Sequence, residues 1–371
     1  MVLEVVFGIF IGTLCIQLFY NLYFFAALGK KKKIQTPHPT SAPVSVIVAA
    51  RNEAHNLPLL IEHVLLQEHP DFELIIVNDR STDDTEDLLN AYQNRYPNKI
   101  KVVHVRYLPD HLTGKKYALT LGILKAQHDL LLLTDADCKP VSAKWIHQMT
   151  APFVASEVAF VLGFSNYKKY PGILNRFIRF ETLVTAMLYL GMAIKGVPFM
   201  GVGRNIAYKR SFFISKKGFK GFYHLVGGDD DLFVNRYANA KNTRVVTNPE
   251  AMTLSEPKRT LSEYLIQKRR HLHIGKFYKF STKWILGAYH LSHLALWILG
   301  ITLISVSFGT TYVILGFIVK SLVAQWVIQK SNSRLHAGFE TVGVLLFDLV
   351  HLLYFWMIGT RGFFSKKVRW K

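Results

Sequence analysis

Three acidic sites stand where short apolar runs end. Carboxylates placed there can hold a hard cation, take a proton, or accept hydrogen bonds from a bound ligand. Asp135-Ala136-Asp137 follows directly on the apolar run 130–133. Two carboxylates one residue apart in extended chain can aim their oxygens at one point when the chain turns, and hard oxygen ligands suit Mg²⁺ or Mn²⁺. Asp229-Asp230-Asp231 follows Gly227-Gly228. Three adjacent carboxylates repel one another, so a folded chain must supply a metal, a cation or protons to keep them together. The alternative is an acidic helix start, which the helix dipole favours. Asp79, within Val77-Asn78-Asp79-Arg80-Ser81, can accept from a ring N–H or a ribose hydroxyl, or cap the helix that follows.

The elements that must hold these residues alternate in type. Residues 44–50, 73–77, 100–105, 130–134 and 158–163 read as strands, and Leu57, Leu60, Ile61, Val64 and Leu65 share one helical face. Ser81-Thr82-Asp83-Asp84 has the form of a capping box, and 115–126 is a helix between two strands. Such alternation predicts an α/β domain with right-handed crossovers and a largely parallel sheet, with ligands at the carboxyl ends of its strands. A basic helix is expected from 260 to 275.

The rest of the 371 residues is strongly apolar. Residues 2–28 exceed the roughly 20 needed to span hydrocarbon, and their positive charge, Lys30 to Lys33, follows the run rather than preceding it. That order favours a retained anchor over a cleaved signal. Further apolar stretches at 285–308, 312–328 and 339–358 make the chain an integral membrane protein, and 312–328, interrupted by Lys320, is expected to be re-entrant. The net charge of +20 then points to lipid headgroups rather than nucleic acid. Two cysteines, Cys15 and Cys138, exclude a disulfide framework. Among the scattered histidines, His271 with His273 is the one close pair that could suggest zinc.

Six segments also match a family. SVIVAARNE (45–53), LIIVNDRSTDDT (74–85), GKKYALT (114–120), LLLTDAD (131–137), GVGRNIAY (201–208) and GDDDL (228–232) come in the order seen in family 2 glycosyltransferases of the GT-A fold. The resemblance to membrane-bound bacterial members covers about 43–270. It implies a nucleotide-sugar donor, with Glu53 and Asp79 at the base and ribose and Lys115 at the diphosphate. Asp135 would lie near ribose or metal, and Asp137 would ligate the Mg²⁺ or Mn²⁺ that bridges the diphosphate. Counting three residues back from Leu232 makes Asp229 the base, with Asp230 next in line. Gln267-Lys268-Arg269-Arg270-His271 resembles the Gln-x-x-Arg-Trp motif of membrane-bound members, with His271 in place of tryptophan. Gln267 and Arg270 would then belong to the donor site.

The expected organisation is an anchor (1–29), a basic linker (30–42), a GT-A domain (43–255), an interfacial segment (256–284), a membrane region (285–358) and a basic tail (359–371). The expected activity is inverting, metal-dependent transfer to a lipid or glycan acceptor. The setting is the bacterial inner membrane, multi-pass, with the catalytic domain in the cytosol. A processive polysaccharide synthase is the alternative within this resemblance. A transporter subunit with a nucleotide-binding domain is a more distant one, since no Walker-type loop is present.

Overall fold

The computed structural model describes residues 1–29, 42–110, 112–341 and 343–364. Residues 30–41 of the expected linker and 365–371 of the expected basic tail lie outside these residues, while 359–364 continue the last helix.

The large sheet is built from β1 (Val44–Ala50), β2 (Phe72–Asp79), β3 (Ile100–Val105), β4 (Leu130–Asp135), β6 (Phe160–Leu162), β8 (Ile206–Lys209) and β9 (Thr243–Val245), in the order β3-β2-β1-β4-β8-β6-β9. A small sheet sets β10 (Thr253–Ser255) between β5 (Cys138–Pro140) and β7 (Ser165–Tyr167). In the large sheet only β8 runs against its neighbours β4 and β6. The expectation of a largely parallel sheet therefore agrees with the structure. The short strands β5, β7, β9 and β10 have three residues each, too few for any periodicity to reveal.

The helices are α1 (Val2–Phe19), α2 (Ala26–Gly29), α3 (Leu57–Leu65), α4 (Thr85–Arg95), α5 (Gly114–Lys125), α6 (Trp145–Thr150), α7 (Ile173–Ile194), α8 (Arg210–Ser215), α9 (Asp231–Tyr237), α10 (Leu261–Ile274), α11 (Phe280–Ser305), α12 (Thr310–Arg334) and α13 (Val344–Phe364). A π-helical turn, Tyr20–Phe25, joins α1 to α2. On one face of the sheet, Leu57, Leu60, Ile61 and Val64 of α3 are fully buried against Val46, Val48, Leu74 and Ile76. Burying side chains of this size stabilises by about 1.5–3 kcal/mol each. The expected capping box does not form: α4 starts at Thr85, and Asp83 instead accepts from the backbone N–H groups of Ala54 and Thr85. That bond ties the loop after β2 to the loop after β1.

Five helical stretches are long and apolar enough to cross a membrane: Val2–Gly29, Ile173–Ile194, Phe280–Ser305, Thr310–Arg334 and Val344–Gly362. The second was not expected, and 83% of its apolar window is buried inside the protein. Its all-round burial is that of a core helix, in contact with β7 and β9 on one side and α2, α12 and α13 on the other. A second departure is α12, expected to be re-entrant, which runs as one unbroken helix through Lys320. Lys320 pairs with Asp348 of α13, whose Oδ2 also lies 3.2 Å from His293 Nε2 of α11. Mutual pairing removes the need for water that an isolated ammonium in an apolar helix would impose.

The first helix docks on α7 through a close approach at Gly191, where an added Cβ would fall 2.4 Å from the carbonyl oxygen of Phe24. Gly191→Ala is therefore expected to lower the Tm of the detergent-solubilised full chain, at an overpacking cost of about 1–3 kcal/mol. Gly12→Ala is the control, because nothing lies within 4 Å of its Cβ position. Equal shifts for the two variants would show that this contact does not matter.

Candidate active site

The strand ends deliver the acidic residues to one cleft. Asp135 is the last residue of β4, and two residues on, Asp137 sits in the turn into β5. Gly227 and Gly228 have φ of +91° and +87°, a region L side chains avoid, so this glycine pair makes the sharp turn into Asp229. Lys116, 1% exposed, fixes the same turn by donating to the carbonyls of Leu225 and Gly227. Burial pushes its ammonium down to about 8, against the pull of Asp229 and Asp231.

The three consecutive aspartates do different work. Asp230 is the N-cap of α9, its Oδ1 accepting from Asp231 N at 2.8 Å and its Oδ2 from Gly203 N. Asp231 accepts from Leu232 N at 2.7 Å and from the Tyr278 hydroxyl at 2.9 Å. Asp229 is turned to a cation: Lys115 Nζ lies 3.1 Å from its Oδ2 and 2.8 Å from Asp135 Oδ1. Lys115 thus bridges two carboxylates that come from distant parts of the chain. Both readings of the acidic run, helix start and charge cluster, are present, divided between neighbouring residues.

Electrostatics separate the same groups. Burial raises the Asp229 carboxyl, but Lys115 and Lys116 outweigh it and leave it below its ordinary value. For Asp230, burial and the charge of Asp229 win and hold it at about 6. Burial and Asp135 raise Asp137, opposed by Arg204. Asp137 Oδ1 has only weak donors, Ser255 Oγ at 3.4 Å and Cys138 Sγ at 3.5 Å.

Asp135 and Asp137 suit a divalent cation. Among the described residues no three His, Cys, Asp or Glu side chains form a complete metal cage. Hard dications are often held by one or two carboxylates plus substrate phosphate and water. Two carboxylates one residue apart, one of them disfavoured as an anion by burial and by its neighbour, fit that kind of site. A zinc pair at His271 and His273 does not fit, because residues two apart on a helix face different ways. His273 Nδ1 is instead 3.0 Å from the carbonyl of Gly362.

The remaining sequence candidates surround this centre. Asp79 ends β2, is 3% exposed, and accepts from Arg80 Nε at 2.8 Å. Its Oδ2 lies 2.4 Å from where a Cβ on Gly114 would stand, so the glycine that opens α5 is what admits the carboxylate. Glu53 follows β1, and its Oε2 accepts from Asn56 at 2.7 Å. Asn52 and Arg80, at φ +56° and +54°, place both loops in the left-handed region, a strain that clusters at functional sites. Arg270 reaches the cleft from α10. Burial pulls its guanidinium down from its ordinary value while Asp229, Asp135 and Asp230 oppose the change. Gln267 lies on α10 one turn earlier, on the same side of the helix as Arg270. Desolvation and the cations Arg270, Lys268, Arg204 and Lys115 lower the His271 imidazole from its ordinary value, although part of its surface is exposed.

One residue here escaped the sequence reading. Arg204, inside the quoted segment 201–208, has its guanidinium carbon 4.4 Å above the ring centre of Tyr167 and bears on Asp137 and Asp135. The arginine among the glycines of that segment was the available signal.

Lys115→Met tests the bridge. The loss at pH 7 is expected to be about 1–3 kcal/mol, less than for a fully buried pair because Asp135 is partly exposed. Since Lys115 holds Asp229 below 3.8, the pair's stabilisation is present above that pH and lost as pH falls through the lowered value. The Tm gap between variant and wild type should therefore narrow as pH falls below 3.8 and through the lowered value. A gap that stays the same size from pH 7 into acid would refute the bridge as an ion pair.

Comparison with known proteins gives the arrangement a family. Residues 45–215 match the family model described as glycosyl transferase family 2. The probable glycosyltransferase YdaM of Bacillus subtilis is 28% identical over 179 residues, 47% of this chain and 42% of that protein. A dolichyl-phosphate β-glucosyltransferase, ALG5A of Trichomonas vaginalis, is 31% identical over 128 residues, 32% of this chain and 38% of that one. The match to the poly-β-1,6-N-acetyl-D-glucosamine synthase of Staphylococcus epidermidis is 28% over 104 residues, covering 28% of this chain and 24% of the synthase. The chain thus spans less than half the length of each of these relatives. A solved mannosyltransferase, PcManGT of Pyrobaculum calidifontis, in complex with GDP-Man and Mn²⁺, superposes with TM-score 0.64 at 18% identity, covering 99% of this chain and 100% of that one. With the sheet order, the strand-end acidic residues and the family match in agreement, residues 45–215 belong to glycosyl transferase family 2, in the GT-A fold.

Proposed function

We propose that this chain transfers a sugar from a nucleoside-diphosphate donor to a hydroxyl of a membrane lipid, with inversion and with a divalent cation. The observation that carries this reading is Lys115 held between Asp135 and Asp229. A donor diphosphate is a better partner for that ammonium than two partly screened carboxylates. As Lys115 turns to it, Asp229 is left unpaired at the point where the acceptor must approach. Its carboxylate then takes the proton of the attacking hydroxyl. The acceptor oxygen bonds to the anomeric carbon as the bond to the diphosphate breaks, and one direct displacement inverts the configuration. Arg270, from the opposite wall, meets the charge that grows on the departing nucleotide. Asp135 and Asp137 would hold the Mg²⁺ or Mn²⁺, which supplies Lewis-acid stabilisation of the same charge. Glu53 and Asp79, at the ends of β1 and β2, receive the base and ribose.

The membrane supplies the acceptor in this reading. Leu261, Ile266, Phe280 and Trp284 are 56, 67, 72 and 65% exposed on α10 and the start of α11. Lys276, Lys279 and Lys283 lie among them. An apolar surface rimmed with lysines suits the headgroup boundary, and with Lys30 to Lys33 it favours a cytosolic catalytic domain in a bacterial inner membrane. A processive synthase is the second reading, which the similarity to a polysaccharide synthase favours. Against it, the ionisable groups Lys320, Asp348 and His293 inside the apolar helices are paired with one another. A sugar-polymer path needs polar side chains free to receive hydroxyls.

Three measurements test the proposal. Asp137→Ala should abolish donor turnover even in saturating Mn²⁺ or Mg²⁺ while the protein stays folded, and near-normal activity would remove its metal role. Asp229→Asn should bind donor and lose transfer by about a hundredfold or more, whereas Asp230→Asn, altering a helix cap, should lower Tm more than turnover. The reverse pattern moves the base to Asp230. Labelled donor incubated with purified protein and lipid extract should put label in the organic phase, and a water-soluble product that lengthens with time would establish the synthase.

A further inference from the structure

Arg204 is the most conspicuous group in the cleft that the proposed reaction does not use. Its Nη1 is buried and makes no hydrogen bond, whereas buried donors are almost always partnered. It bears on Asp137 and Asp135 but forms an ion pair with neither. One face of the guanidinium is covered by Tyr167, which leaves an edge with donors to offer. Lys258 also bears on Asp137, and Arg270 on Tyr167. Three cations therefore gather around one short stretch of the cleft.

The sheet order says which end of the cleft this is. Nucleotide-side residues come from β2, β1 and β4, in that spatial order. Arg204 precedes β8, on the other side of β4, and Tyr167 ends β7 in the small sheet. A donor laid from Asp79 to Asp135 would stop short of Arg204. The position belongs to whatever lies beyond the transferred sugar. Lys258 stands in the turn that leads into α10, and α10 packs along the apolar helix α13. A headgroup entering from the bilayer would meet these cations first.

We propose that Arg204, flanked by Lys258 and Arg270, binds a phosphate carried by the headgroup of the acceptor lipid. A planar guanidinium stacked on a ring, with its buried Nη1 still without a partner, is suited to phosphate oxygens. This reading rests on the lipid acceptor proposed above, and it narrows that acceptor to lipids with an anionic phosphate beside the accepting hydroxyl. Arg204 acts as a binding and orienting group and takes no proton.

The test uses the full chain in detergent, a labelled donor, and total lipid extract separated on an anion exchanger into neutral and anionic fractions. Label should enter lipid of the anionic fraction. Arg204→Gln should raise the acceptor KM about tenfold or more, the worth of a lost charge-assisted hydrogen bond, and Arg204→Lys should recover part of it. Nucleoside-diphosphate affinity, measured by calorimetry, should stay within about twofold, which also shows that the variant is folded. Equal acceptance by the neutral fraction would overturn the proposal. So would an Arg204→Gln variant that loses nucleotide affinity and acceptor affinity together, which would put Arg204 in the donor site. Absence of any donor turnover by the wild-type chain is a different failure, that of the transferase reading itself.

Discussion

Everything in this cleft depends on compensating negative charge. Asp135, Asp137, Asp229 and Asp230 meet in a partly enclosed space, where like charges cannot all be ionised unless cations stand among them. Lys115 does this for Asp135 and Asp229, backbone N–H groups do it for Asp230, and Asp137 is left the least well served. That unequal distribution is what gives one triplet of identical residues three roles.

The compensation is held in place by helices that are not part of the α/β domain. Arg270 owes its position to α10, which is fixed on several sides. Lys268 forms a buried ion pair with Glu181 of α7, His273 Nδ1 donates to the carbonyl of Gly362 of α13, and Ile274 packs within 3.3 Å of the Cβ position of Gly227. α7 in turn receives the first helix at Gly191. Breaking a buried pair such as Glu181–Lys268 leaves an uncompensated charge and costs about 3–5 kcal/mol. The apolar helices and the cleft are therefore mechanically one unit, and a disturbance of α13 has a direct route to Arg270.

Much of the α/β core was legible in the chain. The strands β1, β3 and β4 and the helices α3 and α5 are continuous apolar runs or clear helical faces, and a run of that kind has few other ways to be buried. The three-residue strands and the burial of α7 were not legible. A strand that short has no period, and an apolar helix of 22 residues reads the same whether lipid or protein surrounds it. The capping box failed for a related reason: Asp83 divides its carboxylate between the first residue of its own helix and Ala54 in the loop after β1, a partner that no local pattern announces.

The sequence by itself determined the chemistry available: which strands end in carboxylates, where glycines allow the chain to turn, and where lysine and arginine stand in line with them. Composition and order are local, and local patterns suffice for strands, anchors and motifs. Only the tertiary structure decided which aspartate faces a cation, which caps a helix, and which is held by Tyr278. It also decided that Arg204 stands over Tyr167 with a donor unused. Those outcomes depend on distant partners, 20 residues apart for Lys115 and Asp135 and 47 for Tyr278 and Asp231, and no spacing along the chain records which distant group will arrive beside a given carboxylate.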